Sequence, residues 1–252
     1  MNQSTGRTKQ ERYAELIRQR QEYDPSSFGL VNPSQVEQGK YDVPHMGPWT
    51  AWAHDLDADL MVVGQDWGDV EYFATNRGCD NPRNPTNVAL QKLLLSVGRP
   101  IPAPPAESTA VGAGPHPVND AKQSDRATCR VWLTNALLWL KTGGLSAPVD
   151  KAWFEEPSIP LLKAQVDLVQ PRVIVALGEK AYDCLLHAYG LPNRRGPFKN
   201  AVESSTGLEV VAGGHPIKVL AVYHCGARIQ NTIRSLDEQL QDWKRVRNEL
   251  GA

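Results

Sequence analysis

Apolar residues along this chain fall into two patterns. Four short runs, Leu60 to Val63, Val131 to Thr134, Val173 to Leu177 and Val219 to Tyr223, are bounded by polar residues or glycine and predict strands. Helical spacing of apolar residues marks Asn87 to Val97, Asn135 to Lys141, Ile159 to Val169, Lys180 to Tyr189 and Thr232 to Leu250. Strands separated by helices cannot close as hairpins and pair through crossovers instead. The expected class is therefore α/β: a three-layer α/β/α sandwich around a mainly parallel sheet of roughly four strands.

Ahead of these elements, Thr8 to Tyr23 is rich in helix formers and places Tyr13, Leu16 and Ile17 on one face, with Asp24-Pro25 as a stop. Residues 25 to 47 read as an irregular arm, and Trp49 and Trp52 sit three apart on a short helix whose rings are expected to pack in the core. The organisation expected is an N-terminal helical arm over 1–58, packed on one domain over 59–252. From Gly98 to Asp125 the prolines 100, 102, 104, 105, 115 and 117 predict a long excursion, either a lid or a mobile segment, in place of a core element.

Composition narrows the function. With 252 residues, 41% of them hydrophobic, the chain buries a sizeable core and is not a disordered segment. Lys plus Arg total 27 against 28 Asp plus Glu, so a nucleic-acid partner has to be met by a local basic face. Cys79, Cys129, Cys184 and Cys225 are too far apart for a zinc knuckle or an iron–sulfur loop, so free thiols and no metal are expected. No apolar stretch approaches the roughly 20 residues of a membrane helix, and Met1 to Arg12 lacks the apolar centre of a signal peptide. A soluble, cytoplasmic protein without membrane contact is the expectation.

In doubly wound sheets, ligands bind beyond the carboxyl ends of the strands, so the residues leaving each run are the informative ones. The first run exits into Gly64-Gln65-Asp66-Trp67-Gly68, the second into Asn135, the third into Gly178-Glu179 and the fourth into His224-Cys225-Gly226. An acid, a carboxamide and an imidazole are thus expected to converge from separate strands. Singly, each has a plain reading, since Asp66 and Asn135 could cap helices and His224 could be a satisfied structural group. No Gly-rich phosphate fingerprint follows the first strand and no P-loop occurs, which weakens a nucleotide-binding reading.

The ordered set resembles the uracil-DNA glycosylase superfamily. Its strand into Gly-Gln-Asp is matched by Val62 to Asp66, its pyrimidine-reading Asn by Leu133-Thr134-Asn135, and its last strand into a His-containing loop by Val222-Tyr223-His224. The resemblance implies hydrolysis of an N-glycosidic bond in DNA without metal or cofactor. Asp66 would stabilise the sugar cation or orient water, and His224 would stabilise the departing base. Asn135 would read the O4 and N3–H edge of uracil. Gly64, Gln65, Trp67 and Gly68 would line a pocket for a nucleotide extruded from the duplex. A monomer is expected, because the cleft has to admit a long polymer.

The chain departs from the family pattern at three places. Family members that exclude thymine carry Pro-Tyr after the acid, where this chain has Trp67-Gly68, so the C5 edge of the base is expected to gain room. The usual His-Pro-Ser is His224-Cys225-Gly226, with Gly226 free to approach a phosphate, and Arg228 and Ile229 stand where the family inserts a wedge into DNA. The family's stacking ring is replaced by Cys79, which leaves Phe73 as the expected stacking residue, with Tyr72 its neighbour. Basic residues cluster at Arg194 and Arg195 with Lys199, and at Arg228 and Arg234. The first group and Arg228 supply the local basic face if they lie on the rim of one cleft, whereas Lys244, Arg245 and Arg247 line a solvated helix face. Two alternatives remain open at this point: a glycosylase for bulky modified bases of foreign DNA such as phage DNA, and a non-catalytic DNA-binding or damaged-base-binding protein of the same fold.

Overall fold

The computed structural model describes residues 7–104, 120–154, 158–204 and 206–251. Its centre is a five-stranded sheet in the order β2-β1-β3-β5-β4, built from β1 (Leu60–Gly64), β2 (Val131–Asn135), β3 (Val173–Leu177), β4 (Leu208–Ala212) and β5 (His215–Val222). All neighbouring strands are parallel except β4 and β5, which are antiparallel. The extra strand β4 pairs with β5 across Gly213-Gly214, both at positive φ, which suits the tight hairpin between them. Sequence reading missed this hairpin because β4 is half exposed and carries no continuous apolar run.

β1, β2 and β3 are buried at every position, and their side chains alternate between two cores. Met61, Val63, Trp132, Ile174, Ala176, Val219 and Ala221 face one layer. Leu60, Val62, Val131, Leu133, Val173, Val175 and Leu177 face the other. The first layer holds α1 (Lys9–Glu22), α6 (Ile159–Val169) and α7 (Glu179–Ala188). The second holds α2 (Pro48–Trp52), α4 (Pro85–Ser96) and α10 (Leu236–Leu250). α8 (Phe198–Glu203) adds Phe198 and Val202 to the first core, and α3 (Val70–Thr75), α5 (Asp120–Ala127) and α9 (Ala227–Thr232) are short helices of the connections. The fold is the expected three-layer α/β/α sandwich.

Local chemistry explains the helix ends. Thr8 and Ser235 each begin a helix with a capping box, closed by Glu11 and Glu238. The box at Ser235 starts α10 at Leu236, later than the Thr232 expected, because the cap holds extended backbone at Ser235, and the short α9 before it was not expected. Trp49 and Trp52 are buried in the second core, and Trp52 donates from Nε1 to Pro102 O at 2.7 Å. Arg126 on α5 adds bonds to Trp52 O and Ala103 O. Both ends of the expected excursion are therefore tied down, its last part being helical, while residues 105–119 lie outside the described set.

A second correction matters for the site. Asn135 to Lys141 is not a helix: the chain runs on in extended form beside the segment that leaves β1. Ala136 N–H donates to Gly64 O, Leu137 N–H to Gln65 O, and Val70 N–H to Lys141 O. Leu140 pairs on its other side with Val31 of the N-terminal arm. Residues 136–140 are buried on all sides, so their unbroken apolar run matches no strand alternation and mimics a helix.

The arm covers the sheet beside β2. Tyr13 meets the edge of Trp132 with ring centroids 5.1 Å apart and shares a 2.8 Å hydrogen bond with His45 Nδ1. His45 lies 4.4 Å from the ring of His54, and Arg20 is buried against Asp42 and the carbonyls of Val43 and His45. Burial, assisted by His54, Arg20 and Arg126, pushes the His45 pKa down to about 3. Between pH 6.5 and that value the unfolded chain binds a proton that the folded chain refuses, so stability falls as pH falls through this window. By pH 5 the loss from His45 amounts to about 2 kcal/mol. Urea unfolding from pH 7 to pH 5 should show it, and His45→Gln should flatten the slope; an unchanged slope would contradict the assignment.

Candidate active site

The chain leaves β1 toward β2 on one side and returns through β3 on the other, so a crevice opens at the carboxyl end of β1. Residues following β1, β2 and β5 meet there. Gly64 stands level with Asn135 across the β1–β2 pair, and His224 follows β5 by two residues.

Asn135 is buried, and its Nδ2 has no hydrogen-bond partner among the described residues. A buried, unmatched amide donor costs about 1–3 kcal/mol, and such a group in a crevice marks a place where a ligand acceptor fits. Gly64 makes room for it: a Cβ at that position would come within 2.6 Å of Asn135 Nδ2 and 2.9 Å of the Trp49 ring.

His224 is oriented by its own loop. Gly226 N–H donates to His224 Nδ1 at 3.0 Å, so that nitrogen carries no proton and Nε2 is the N–H of a neutral ring. Burial holds the imidazole below its ordinary range, and the nearby Asp66 carboxylate opposes this only in part. A side chain at position 226 would meet the ring, since its Cβ would lie 2.9 Å from Nδ1. Cys225 is buried, with Sγ bonded to Thr86 O, which seats the loop on the start of α4.

Asp66 sits at the foot of the crevice with 9% of its side chain exposed. Gln65 Nε2 donates to its Oδ2 at 2.6 Å, and Lys141 Nζ lies 3.3 Å from its Oδ1. Lys141, which sequence reading passed over as the end of a helix, is thus part of the site. An acid, a neutral imidazole donor and an unmatched amide in one crevice can stabilise opposite charges on the two sides of a breaking bond.

A profile of the uracil DNA glycosylase superfamily matches residues 52–247. The chain belongs to that superfamily. No curated protein matches it individually. Glycosylases of this superfamily act on DNA, and the sheet and crevice described above are the fold on which they do so.

Measured against the glycosylase pattern, the departures have structural answers. The room expected beside Gly68 is taken: a Cβ there would meet Tyr72 Cδ1 at 3.0 Å and Leu145 Cδ2 at 3.2 Å. Tyr72 is half-buried, 5.2 Å from the Trp67 ring, and its hydroxyl accepts from Asn84. Phe73, expected to stack on a base, has 0% exposure and packs edge-on against Trp67 beside Val36 and Leu140, so it offers no free face. Trp67 is half-buried and Cys79 buried.

The basic face is smaller than expected. Arg194 is held by Glu179, Asp183 and the Gly196 carbonyl and lies over the Phe198 ring, which makes it a structural cation with its charge already matched. Arg195 and Arg228 are exposed, Gly226 N-caps α9, and Ile229 is half-buried on it. Arg234 pairs with Asp242, and Arg245 turns inward to Ala221 O and Ser204 O instead of facing solvent.

Gly64→Ala should displace the Asn135 amide. We expect a loss of about 1–3 kcal/mol in urea unfolding, the usual cost of overpacking, and a crystal structure of the variant in which Asn135 has turned. An unmoved amide at parental stability would contradict the contact.

Proposed function

We propose that this chain is a monofunctional DNA glycosylase that hydrolyses the bond between deoxyribose and uracil or a C5-modified pyrimidine. The observation that carries the reading is the Gly226 N–H bond to His224 Nδ1, which leaves a neutral Nε2–H donor in the same crevice as Asp66. As the C1′–N1 bond breaks, its electron pair stays with the base, and the negative charge on the base oxygen is met by the N–H without a full proton transfer. Asp66 faces the positive sugar and orients the water that adds to C1′. The proton this water sheds passes to the Asp66 carboxylate and, through solvent, neutralises the released base anion, so that the abasic sugar and the free base are the products. Asn135 would donate Nδ2 to O4 and accept N3–H through Oδ1, and the unmatched state of Nδ2 supports that role.

The C5 edge of the base would be bounded by Tyr72 and Leu145, the two side chains that crowd Gly68. Leu145 is 54% exposed and stands beside Gly143 and Gly144, both at positive φ, so its side of the wall is a rotatable side chain, while the Tyr72 ring forms the other side. That observation favours a pocket tolerant of C5 substituents, including the modified bases of foreign DNA. Arg195 and Arg228 would contact phosphates, with Ile229 beside them as the candidate wedge.

Base release should be measured on oligonucleotides carrying uracil, thymine and 5-hydroxymethylated or bulkier pyrimidines. Asp66→Asn is expected to reduce release by about 10²–10⁴-fold with DNA binding retained. A parent protein inactive on the whole panel would favour the binding-protein reading instead. Because His224 stays neutral below the ordinary imidazole value of 6.5, release should hold across neutral pH and fall only on further acidification. Leu145→Ala should raise release of C5-substituted bases relative to uracil by about tenfold. Strict uracil preference in both proteins would contradict the proposed wall.

A further inference from the structure

We infer that Lys141 is a positioning residue that holds the Asp66 carboxylate in its working orientation. The inference deepens the glycosylase reading and rests on it for the role of Asp66.

An ammonium taken out of water costs several kcal/mol unless all of its N–H groups are matched. Lys141 has 3% of its side chain exposed; its ammonium donates to Leu145 O at 2.7 Å and Ala147 O at 3.4 Å and forms an ion pair with Asp66 Oδ1 at 3.3 Å. Two of these acceptors are carbonyls of a surface loop that water could serve equally well. The third is the only anionic partner of Lys141 among the described residues. Stapling the loop alone gives no reason to bury a cation beside the acid of the crevice.

The backbone places the group. Lys141 bridges to Asp69 in parallel pairing, with Val70 N–H bonded to Lys141 O, so its Cα is fixed beside the turn that follows Asp66. The side chain then reaches back to Oδ1, while Gln65 Nε2 holds Oδ2 at 2.6 Å. With a hydrogen bond on one oxygen and a cation against the other, the carboxylate is held from both sides. Each oxygen still has a second lone pair for a water or for the sugar cation. The same ammonium ties down the carbonyls of Leu145 and Ala147, so the loop that carries Leu145 toward Gly68 and the acid share one anchor. A buried cation bonded to two carbonyls and paired with a carboxylate is a holder of geometry, not a nucleophile.

The test is single-turnover base release by Lys141→Met and Lys141→Arg, each alone and combined with Asp66→Asn, with DNA affinity measured in parallel. Misplacing a catalytic group by about an ångström costs about 10²-fold. Lys141→Met should lose about that much with affinity within about threefold of the parent, Lys141→Arg should recover part of it, and neither should reduce release further once Asp66 is Asn. If Lys141→Met does not fold, Lys141→Arg decides by the same criterion. Unchanged release, a loss that persists in the Asp66→Asn chain, or a DNA adduct trapped by borohydride would each overturn the inference. Should the parent release no base at all, the glycosylase reading fails separately, and crystal structures of the Lys141 variants then decide. An Asp66 carboxylate turned off Gln65 supports the positioning role, and an unmoved one overturns it.

Discussion

The parallel register between β1 and β2, continued past the ends of both strands, is the constraint on which the crevice depends. Gly64 is level with Asn135, and the hydrogen bonds from Ala136 to Gly64, Leu137 to Gln65 and Val70 to Lys141 carry the pairing on through the segments leaving the strands. A slip of one residue would turn every side chain to the opposite face. Asn135 would leave the crevice, and Lys141 would no longer lie beside the turn after Asp66. Because both strands are buried on two faces, with distinct cores above and below, such a slip has no packed alternative.

Around that register the site is assembled from groups whose local needs are met unequally. Asp66 and His224 are held by donors from their own chain neighbourhood, Gln65 and Gly226, and Lys141 adds a distant one. Of the acid, the imidazole and the amide, only the amide has a buried atom, Asn135 Nδ2, without a hydrogen-bond partner among the described residues. On the proposed glycosylase reading, an acid and an imidazole already held in place would need little rearrangement as charge develops, and the unmatched amide would offer a hydrogen bond to the base. The glycines at 64 and 226 belong to the same design, because a methyl group at either position would strike the amide or the imidazole.

Much of this was legible along the chain, for identifiable reasons. Buried parallel strands are apolar throughout and end in polar residues, so Gly64 to Asp66, Asn135 and His224 stood out at the strand exits. The hairpin partner β4 did not, since a half-exposed edge strand has no such run. The segment after β2 misled for the opposite reason: contacts on every side erased the alternation that would have marked it as extended, and Lys141 was lost with it. Phe73 and Arg194 could not be assigned from position alone, because whether a ring presents a face or a guanidinium keeps a free charge depends on neighbours distant in the chain.

The sequence by itself determined the class of the fold, the four strands β1, β2, β3 and β5, and the strand exits that carry Asp66, Asn135 and His224, because these follow from short-range patterns of apolar burial and strand termination. The tertiary structure alone decided the protonated nitrogen of His224, the filling of the space beside Gly68 by Tyr72 and Leu145, and the pairing of Lys141 with Asp66. Each of these is a contact whose geometry is set by the packing of the whole sheet and not by the spacing of residues along the chain.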